Sequence, residues 1–478
     1  MTGTEIILGF IFIAVLLILI LLTQASHESI GLKESLLLNR KSTVTQKEAD
    51  IVDDKLSYSS GFIYAGIVIS MILLVGIAYF YFEGTLYQGH LHEWMNIVVR
   101  WMHITFGIAW IGTSFFFVFM ENSLVKNAKK PELKGDIWML HGGGFWFVEK
   151  YQVAPKVMPK GVHWFKYEAY FTWLTGFALM FVVYYFNAEA MLVDPNKLDV
   201  TGWMASAIGI GSLAIGYVIY HVLSLTPLLK KPLWFGITLF IILIGFAFFY
   251  TSIFSPRAAY IHFGALIGTF MAGNVFFVII PAQKAMVQAT KDGSYLDPAL
   301  GNFAGLRSFH NNYFTLPVLF VMISNHFPST FGHEYAWLIL ALLTIASAGV
   351  KHYLNLKEKH QQSVWVLPIA ILVLVSTVFI TAPTEIGGEC EEVSFTEVYT
   401  IFQKRCVSCH SSSPTDDVLT APPNGVVYDT PQDMVKKRDE IMQRVVITKT
   451  MPQNNKTGIT PEERDLIRCW IEQGTPVE

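Results

Sequence analysis

Three residues near the end of the sequence, Cys406, Cys409 and His410 in RCVSCHSSSP, have the spacing C-x-x-C-H. Two thiols at that spacing can bond covalently to haem vinyl groups, and the adjacent imidazole can then ligate the iron. Such an attachment needs a second axial donor and a small apolar fold around the ring. Met451, in TKTMPQNNKTGIT, supplies a soft thioether on an otherwise polar loop, a ligand that raises the haem potential. Met434 and Met442 compete with it by type, but both sit in the helix-like run DMVKKRDEIMQRVV. PEERDLIRCWIEQG, with Pro461 at a helix start and Leu466, Ile467, Trp470 and Ile471 at helical spacing, reads as a helix closing over the haem edge. A metal knuckle completed by Cys390 and Cys469 is the alternative, and it leaves His410 and the Met-Pro loop without a purpose. Those two cysteines are either an oxidised pair tying the linker to the last helix or two unpaired thiols. The expectation is one covalent haem c on Cys406, Cys409, His410 and Met451.

The elements ahead of this tail are of another kind. Of 478 residues, 53% are hydrophobic and only 15% charged, against roughly 25% charge in soluble domains. Apolar runs long enough to cross a bilayer, about 20 residues each, occur near 5–23, 59–82, 97–120, 167–187, 203–224, 233–254, 258–281, 312–327, 334–350 and 364–382. The expected fold is all-α: a polytopic transmembrane helical bundle of ten spans, then a small all-α cytochrome c domain. The division is 1–94 for two leading spans and their loop, 95–382 for the rest of the bundle and 383–478 for the tail, with TAPTEIGGE at 381–389 as the hinge. The first run has the length of a signal peptide but lacks a basic leading segment. Loops 24–58, 121–166, 225–232, 282–311 and 351–363 hold 5, 8, 2, 3 and 3 basic residues, and the alternate loops 0, 1, 1 and 0. Cytoplasmic loops are enriched in Lys and Arg, so both termini are expected outside the cytoplasm. Bacteria attach haem covalently on that side, so the expected location is the bacterial inner membrane with the cytochrome domain periplasmic. From residue 385 onward, 10 Lys+Arg stand against 16 Asp+Glu, which argues against nucleic acid as a partner.

Ionisable groups inside spans are costly and default to functional readings with an inward face. In the third span Arg100, His103, Gly107, Trp110, Ser114 and Glu121 fall on one helical stripe. Arg100 and His103, Arg257 and His262, and Asn325 with His326 are expected near the outer surface, on the tail's side. A second tier is expected at the inner ends: His141 in HGGGFWFVEKY, His163, His310 with Asn311 and Asn312 in FHNNYFTLP, and His352. Interfacial anchoring suits any one of these residues taken alone. The clusters are not anchor compositions, because three glycines bring backbone close to a ligand and adjacent Asn side chains offer donors and acceptors together. The candidate site residues are therefore Arg100, His103, His141, His262, His310, Asn311, Asn312 and His326, suited to a polar planar substrate. Two histidine tiers would also suit a b-type haem or a metal within the bundle.

RWMHITFGIAWIGTSFFFVFME, WMLHGGGFWFVEKYQVAPKVMPKGVHWFKYEAYFTWLTGF, HNNYFTLPVLFVMISNHFP, APPNGVVYDTP and MPQNNKTGITPEER together resemble the bacterial membrane urate hydroxylase family, the cytochrome c-linked urate oxidases. The resemblance runs over residues 95 to 478 and leaves the two leading spans outside it. It implies a helical bundle in membrane lipid fused to a cytochrome c domain, and hydroxylation of urate to 5-hydroxyisourate with water as the oxygen source. It also implies that electrons leave through the haem to the respiratory chain, by a soluble cytochrome c or a terminal oxidase. An Arg or His with an Asn pair could orient the planar urate anion, and a histidine could act as base on the attacking water. The competing expectation is an electron-transfer subunit of a respiratory complex with no small-molecule substrate of its own.

Overall fold

The structure, a computed structural model, describes residues 76–477 apart from 78–80, 83–84, 160, 362, 383–387, 417–418 and 420. The span expected near 5–23 lies outside the described residues, as do most of the one near 59–82 and most of the hinge at 381–389. The chain divides into two units, Met1–Leu91 and His92–Glu478. Every site residue expected from the sequence falls in the second.

Long apolar runs become helices because a helix satisfies its own backbone where no water can. Helix α1 (Leu86–Asn122) is followed by α2 (Tyr167–Met180), α3 (Gly202–Leu223), α4 (Pro232–Ile253), α5 (Pro256–Gly273), α6 (Ile280–Asp292), α7 (Pro298–Ile323), α8 (Ala336–Glu358) and α9 (Val366–Ile380). Helix α5 is the centre, packed on α2, α3, α4 and α7. Its many small residues, among them Ala258, Ala259, Gly264 and Ala272, are buried and let neighbouring backbones approach closely. Trp101, Ile108, Ile215, Ile241 and Phe379 point outward and are exposed, an apolar surface compatible with insertion in a membrane.

Among the described residues, five stretches, Tyr87–Asn122, Gly202–Leu223, Pro232–Ile253, Pro256–Asp292 and Ala336–Glu358, are long and apolar enough to cross a membrane, and α9 is a shorter apolar helix. Two of the predicted spans differ from expectation in form. Helix α2 has 14 residues and then widens into a π turn, Phe181–Tyr185. The run predicted at 312–327 is only the second half of α7, which begins at Pro298 behind the capping side chain of Asp297. An acceptor at the cap and proline in the first turn are strong start signals, and they extend this helix well into the predicted loop 282–311.

The predicted all-α class needs a correction. Within the predicted loop 121–166, Leu133–His141 and Gly144–Tyr151 pair as an antiparallel hairpin, β1 and β2. Its two turn residues, Gly142 and Gly143, have φ of 62° and 77°, the positive values of a type I′ turn that glycine adopts without strain. The glycines of HGGG are used by this turn. Glu121, at the end of α1, pairs with Lys134 and Lys150 of the hairpin.

In the tail, α10 (Phe395–Arg405) and α11 (Pro461–Glu472) enclose a separate core of Val398, Phe402, Cys406, Met434, Ile441, Val446, Ile459, Ile467 and Trp470. Thr460 and Glu463 form a capping box at the start of α11, and Glu463 also takes the Arg405 guanidinium at 3.0 Å. Cys390 and Cys469 are joined as a disulfide, which ties the segment ahead of α10 to α11.

Candidate functional site

Helix α10 ends at Arg405 and the chain turns at once, with the amides of Cys409 and His410 returning to the Cys406 carbonyl. This turn keeps Cys406 buried on the tail core while Cys409 and His410 remain half-buried. His410 Nδ1 lies 3.0 Å from the Val426 carbonyl oxygen. Only an N–H can make that bond, so Nε2 keeps its lone pair. Burial holds His410 below the usual histidine pKa, which favours the neutral ring that a metal ligand must present. Met451 packs on the same core; its amide bonds the Arg444 carbonyl at 3.0 Å and its own carbonyl accepts from Arg464 at 2.8 Å. Of the competitors, Met434 is buried within the helix Pro431–Lys436 and Met442 opens the π turn Met442–Ile447. Two thiols, a neutral imidazole with a free nitrogen and a loop thioether are a donor set that fits a tethered haem, and Cys406 and Met451 lie on the tail core.

The loop beyond Met451 is joined to the bundle. Gln453 Nε2 donates to the Ala190 carbonyl at 2.7 Å, and Asn454 Nδ2 donates to the Val193 carbonyl at 2.5 Å. Thr450 on the other side lies so close to Gly332 that a Cβ there would collide with it. Residues 191 and 192 are held in turn by Ser255, whose hydroxyl donates to the Met191 carbonyl at 2.6 Å and whose amide donates to the Leu192 carbonyl at 2.9 Å.

Two turns beyond Ser255 stands an outer polar cluster. His262 is fully buried, with Nδ1 2.9 Å from the Ala258 carbonyl and Nε2 3.0 Å from the Tyr185 hydroxyl. Nδ1 must donate to the carbonyl, so Nε2 accepts from Tyr185. Gly209 on α3 makes room for this pair, since a Cβ there would stand 2.7 Å from His262 Nε2. The neighbouring Tyr184 hydroxyl accepts from Asn325 at 3.3 Å. His103 is placed separately, with Nδ1 3.0 Å from the Thr172 carbonyl of α2. Arg100 is exposed and bonded to Asn96 at 2.9 Å, and His326 is exposed. With both ring nitrogens engaged, His262 offers an iron no lone pair, so the bundle haem does not fit there. Among the described residues no three His, Cys, Asp or Glu side chains converge as a metal site.

The inner cluster is richer. Along α7, Arg307, His310 and Asn311 share one face, as residues three and four apart do. A π turn, Asn274–Ile279, follows α5, and Asn274 at its head reaches the same place; such wide turns recur at functional sites. Asn274 Nδ2 donates to the Tyr220 hydroxyl and to Asn311 Oδ1, each at 2.8 Å. Asn311 Nδ2 donates to the Met271 carbonyl at 3.0 Å, and the Tyr220 hydroxyl lies 2.9 Å from His310 Nδ1. Arg307 donates to Asn274 Oδ1 at 3.3 Å and lies 3.4 Å from His221 Nδ1. The Phe235 ring stacks on His310 with centroids 4.8 Å apart.

Asn312 faces away from Asn311 and donates to Asn355 of α8 at 2.9 Å, so the expected Asn pair divides between two networks. His141 is exposed at the hairpin tip, where its carbonyl accepts from Trp146 at 3.2 Å. Arg307, Asn274, Tyr220 and His221 have no place in the sequence reading. It counts Arg307 as one basic residue of the loop 282–311. The Asp297-Pro298 start, followed by Arg and His three apart, is the signal that could have moved it onto a helix.

Compared with known protein families, residues 89–382, more than half of the chain, match the family described as urate oxidase N-terminal. No curated protein and no solved structure matches.

Proposed function

The chain belongs to the urate oxidase N-terminal family, and from that premise we propose a membrane-bound oxidoreductase that hydroxylates urate to 5-hydroxyisourate, with a haem c on its own tail as electron acceptor. Urate and one water give 5-hydroxyisourate, two protons and two electrons, so the reaction needs an acceptor and no dioxygen. Cys406, Cys409, His410 and Met451 are the residues that would hold the haem, which when bound supplies a one-electron acceptor. A respiratory-chain component, a soluble cytochrome c or a terminal oxidase, takes the electrons onward.

The observation that carries this reading is the joint between tail and bundle. The loop bearing Met451 is bonded through Gln453 and Asn454 to residues 190–193, and Ser255 ties those residues to the start of α5. Farther along α5 comes His262 and, just past the helix end, Asn274, 12 residues later, about 18 Å at 1.5 Å per residue. One central helix thus runs from the inner cluster past His262 to the tail. The bundle's loops at that end are the ones poor in Lys and Arg, which supports a periplasmic tail on a bacterial inner membrane.

The test is reduction of the haem in purified, oxidised protein by urate under anaerobic conditions with no partner present. The expected result is appearance of the reduced c-type spectrum, with product oxygen drawn from labelled water. A haem that dithionite reduces and urate leaves oxidised overturns the reading and favours the electron-transfer subunit.

A further inference from the structure

Arg307 is a cation without a counter-ion. Its side chain is fully buried and its Nε has no hydrogen-bond partner among the described residues. No carboxylate contacts it among them, and α3 and α7, which carry His221, Tyr220 and Phe303 beside it, contain no Asp or Glu anywhere along their length. The groups it does touch, Asn274 and His221, are uncharged partners at 3.3 and 3.4 Å. A guanidinium cannot shed its proton to escape this position, and an unpaired buried charge is among the least tolerated features of a membrane interior. A second group beside it is also unsatisfied. The Tyr217 hydroxyl is buried without a partner among the described residues, and its ring lies 5.7 Å from that of His221.

The surroundings of the guanidinium are specific. The rings of Tyr220 and Phe303 each lie 5.1 Å from the Arg307 guanidinium carbon, which leaves the N–H edge as the part able to grip a partner. Such an edge is a rigid fork that matches a planar anion with adjacent acceptor atoms. We propose that Arg307 binds the anionic edge of a planar heterocyclic anion, with Asn274 and the Tyr217 hydroxyl as flanking contacts. Resting on the function proposed above, that anion is urate, and the inner cluster is its binding site.

The test reads binding and not turnover. Dithionite-reduced holoprotein, whose haem can take no electron, is equilibrated with urate in detergent and the bound fraction is measured by dialysis. The expected result is saturable one-to-one binding that Arg307→Gln weakens about a hundredfold or more and Arg307→Lys, which keeps the charge but loses the fork, weakens about tenfold. An Arg307→Gln protein that retains covalent haem and binds urate within threefold of wild type overturns the inference. So does a wild-type protein that binds inorganic phosphate, the probe for a lipid-headgroup site, in preference to urate. If Arg307→Gln does not accumulate, Tyr217→Phe serves in its place, since it removes only an unpartnered hydroxyl. Loss of affinity supports the site, and unchanged affinity overturns it. Failure of urate to reduce wild-type haem would sink the proposed function, while Arg307-dependent binding of urate would still stand.

Discussion

The outer and inner polar clusters of the bundle are built from similar residues and differ in what is left over. At the outer cluster His262 accepts from Tyr185 and donates to Ala258, so the imidazole is neutral, and what is left over there among the described residues is the uncharged carbonyl oxygen of Asn325. At the inner cluster Asn274, Asn311, Tyr220 and His310 are linked in the same manner, yet Arg307 keeps a charge and an N–H without partners. A saturated buried network rigidifies and specifies packing, whereas an unsaturated one is stable only with a further component. Burial alone does not separate the two, since His262 and Arg307 are equally inaccessible. The difference lies in donor and charge balance.

The largest expected effect separates both clusters from the tail. Cys406→Ala with Cys409→Ala should abolish covalent haem staining and all urate-driven reduction, while urate binding by the bundle persists. Loss of that binding would show that the inner cluster depends on the tail's haem. Next comes a reversal of sign between the clusters. Removing a buried charge that lacks a partner relieves its desolvation cost, so Arg307→Gln should hold or raise the thermal unfolding temperature while it loses urate. His262→Ala strands the Tyr185 hydroxyl and should cost about 1–3 kcal/mol, lowering that temperature with urate affinity little changed. Equal destabilisation by both would dissolve the distinction. A smaller effect belongs to the joint. Gln453→Ala with Asn454→Ala removes two hydrogen bonds of about 0.5–1.5 kcal/mol each, and should slow haem reduction by urate while dithionite reduces the haem as before.

The tail's helices were legible from helical spacing and start signals, and Cys406 and Met451 pack on one core; the haem belongs to the function proposed above. The helices of the bundle were legible as apolar runs. Arg307 was not, because its meaning depends on where α7 begins. Counted in a loop it is one positive charge facing the cytoplasm; counted from Pro298 it lies on the face of His310, inside the bundle. The Asn pair failed for a related reason, since adjacent helical residues point about 100° apart and Asn311 and Asn312 join different partners. Charge absence is a helix-packing property as well: that α3 lacks every Asp and Glu matters only once its His221 is known to lie beside Arg307.

The smallest effect is expected at the residue whose motif drew most attention in the sequence. HGGG admits two uses, since glycines can let a ligand approach backbone or let a chain reverse tightly. The alternation in LKGDIWMLH and GFWFVEKY favours reversal, and Gly142 and Gly143 carry the positive φ angles that the turn requires. His141 closes the hairpin opposite Gly144 and its side chain is exposed, with none of the hydrogen bonds that link the inner cluster. His141→Ala should therefore leave urate binding and haem reduction within about twofold of wild type, the usual reach of an exposed substitution away from a site. Gly143→Val, which forces a β-branched residue to a φ of 77°, should instead lower hairpin stability by more than 1 kcal/mol. A His141→Ala variant that loses urate affinity tenfold would bring the hairpin tip into the substrate site and end its separation from the cluster around Arg307.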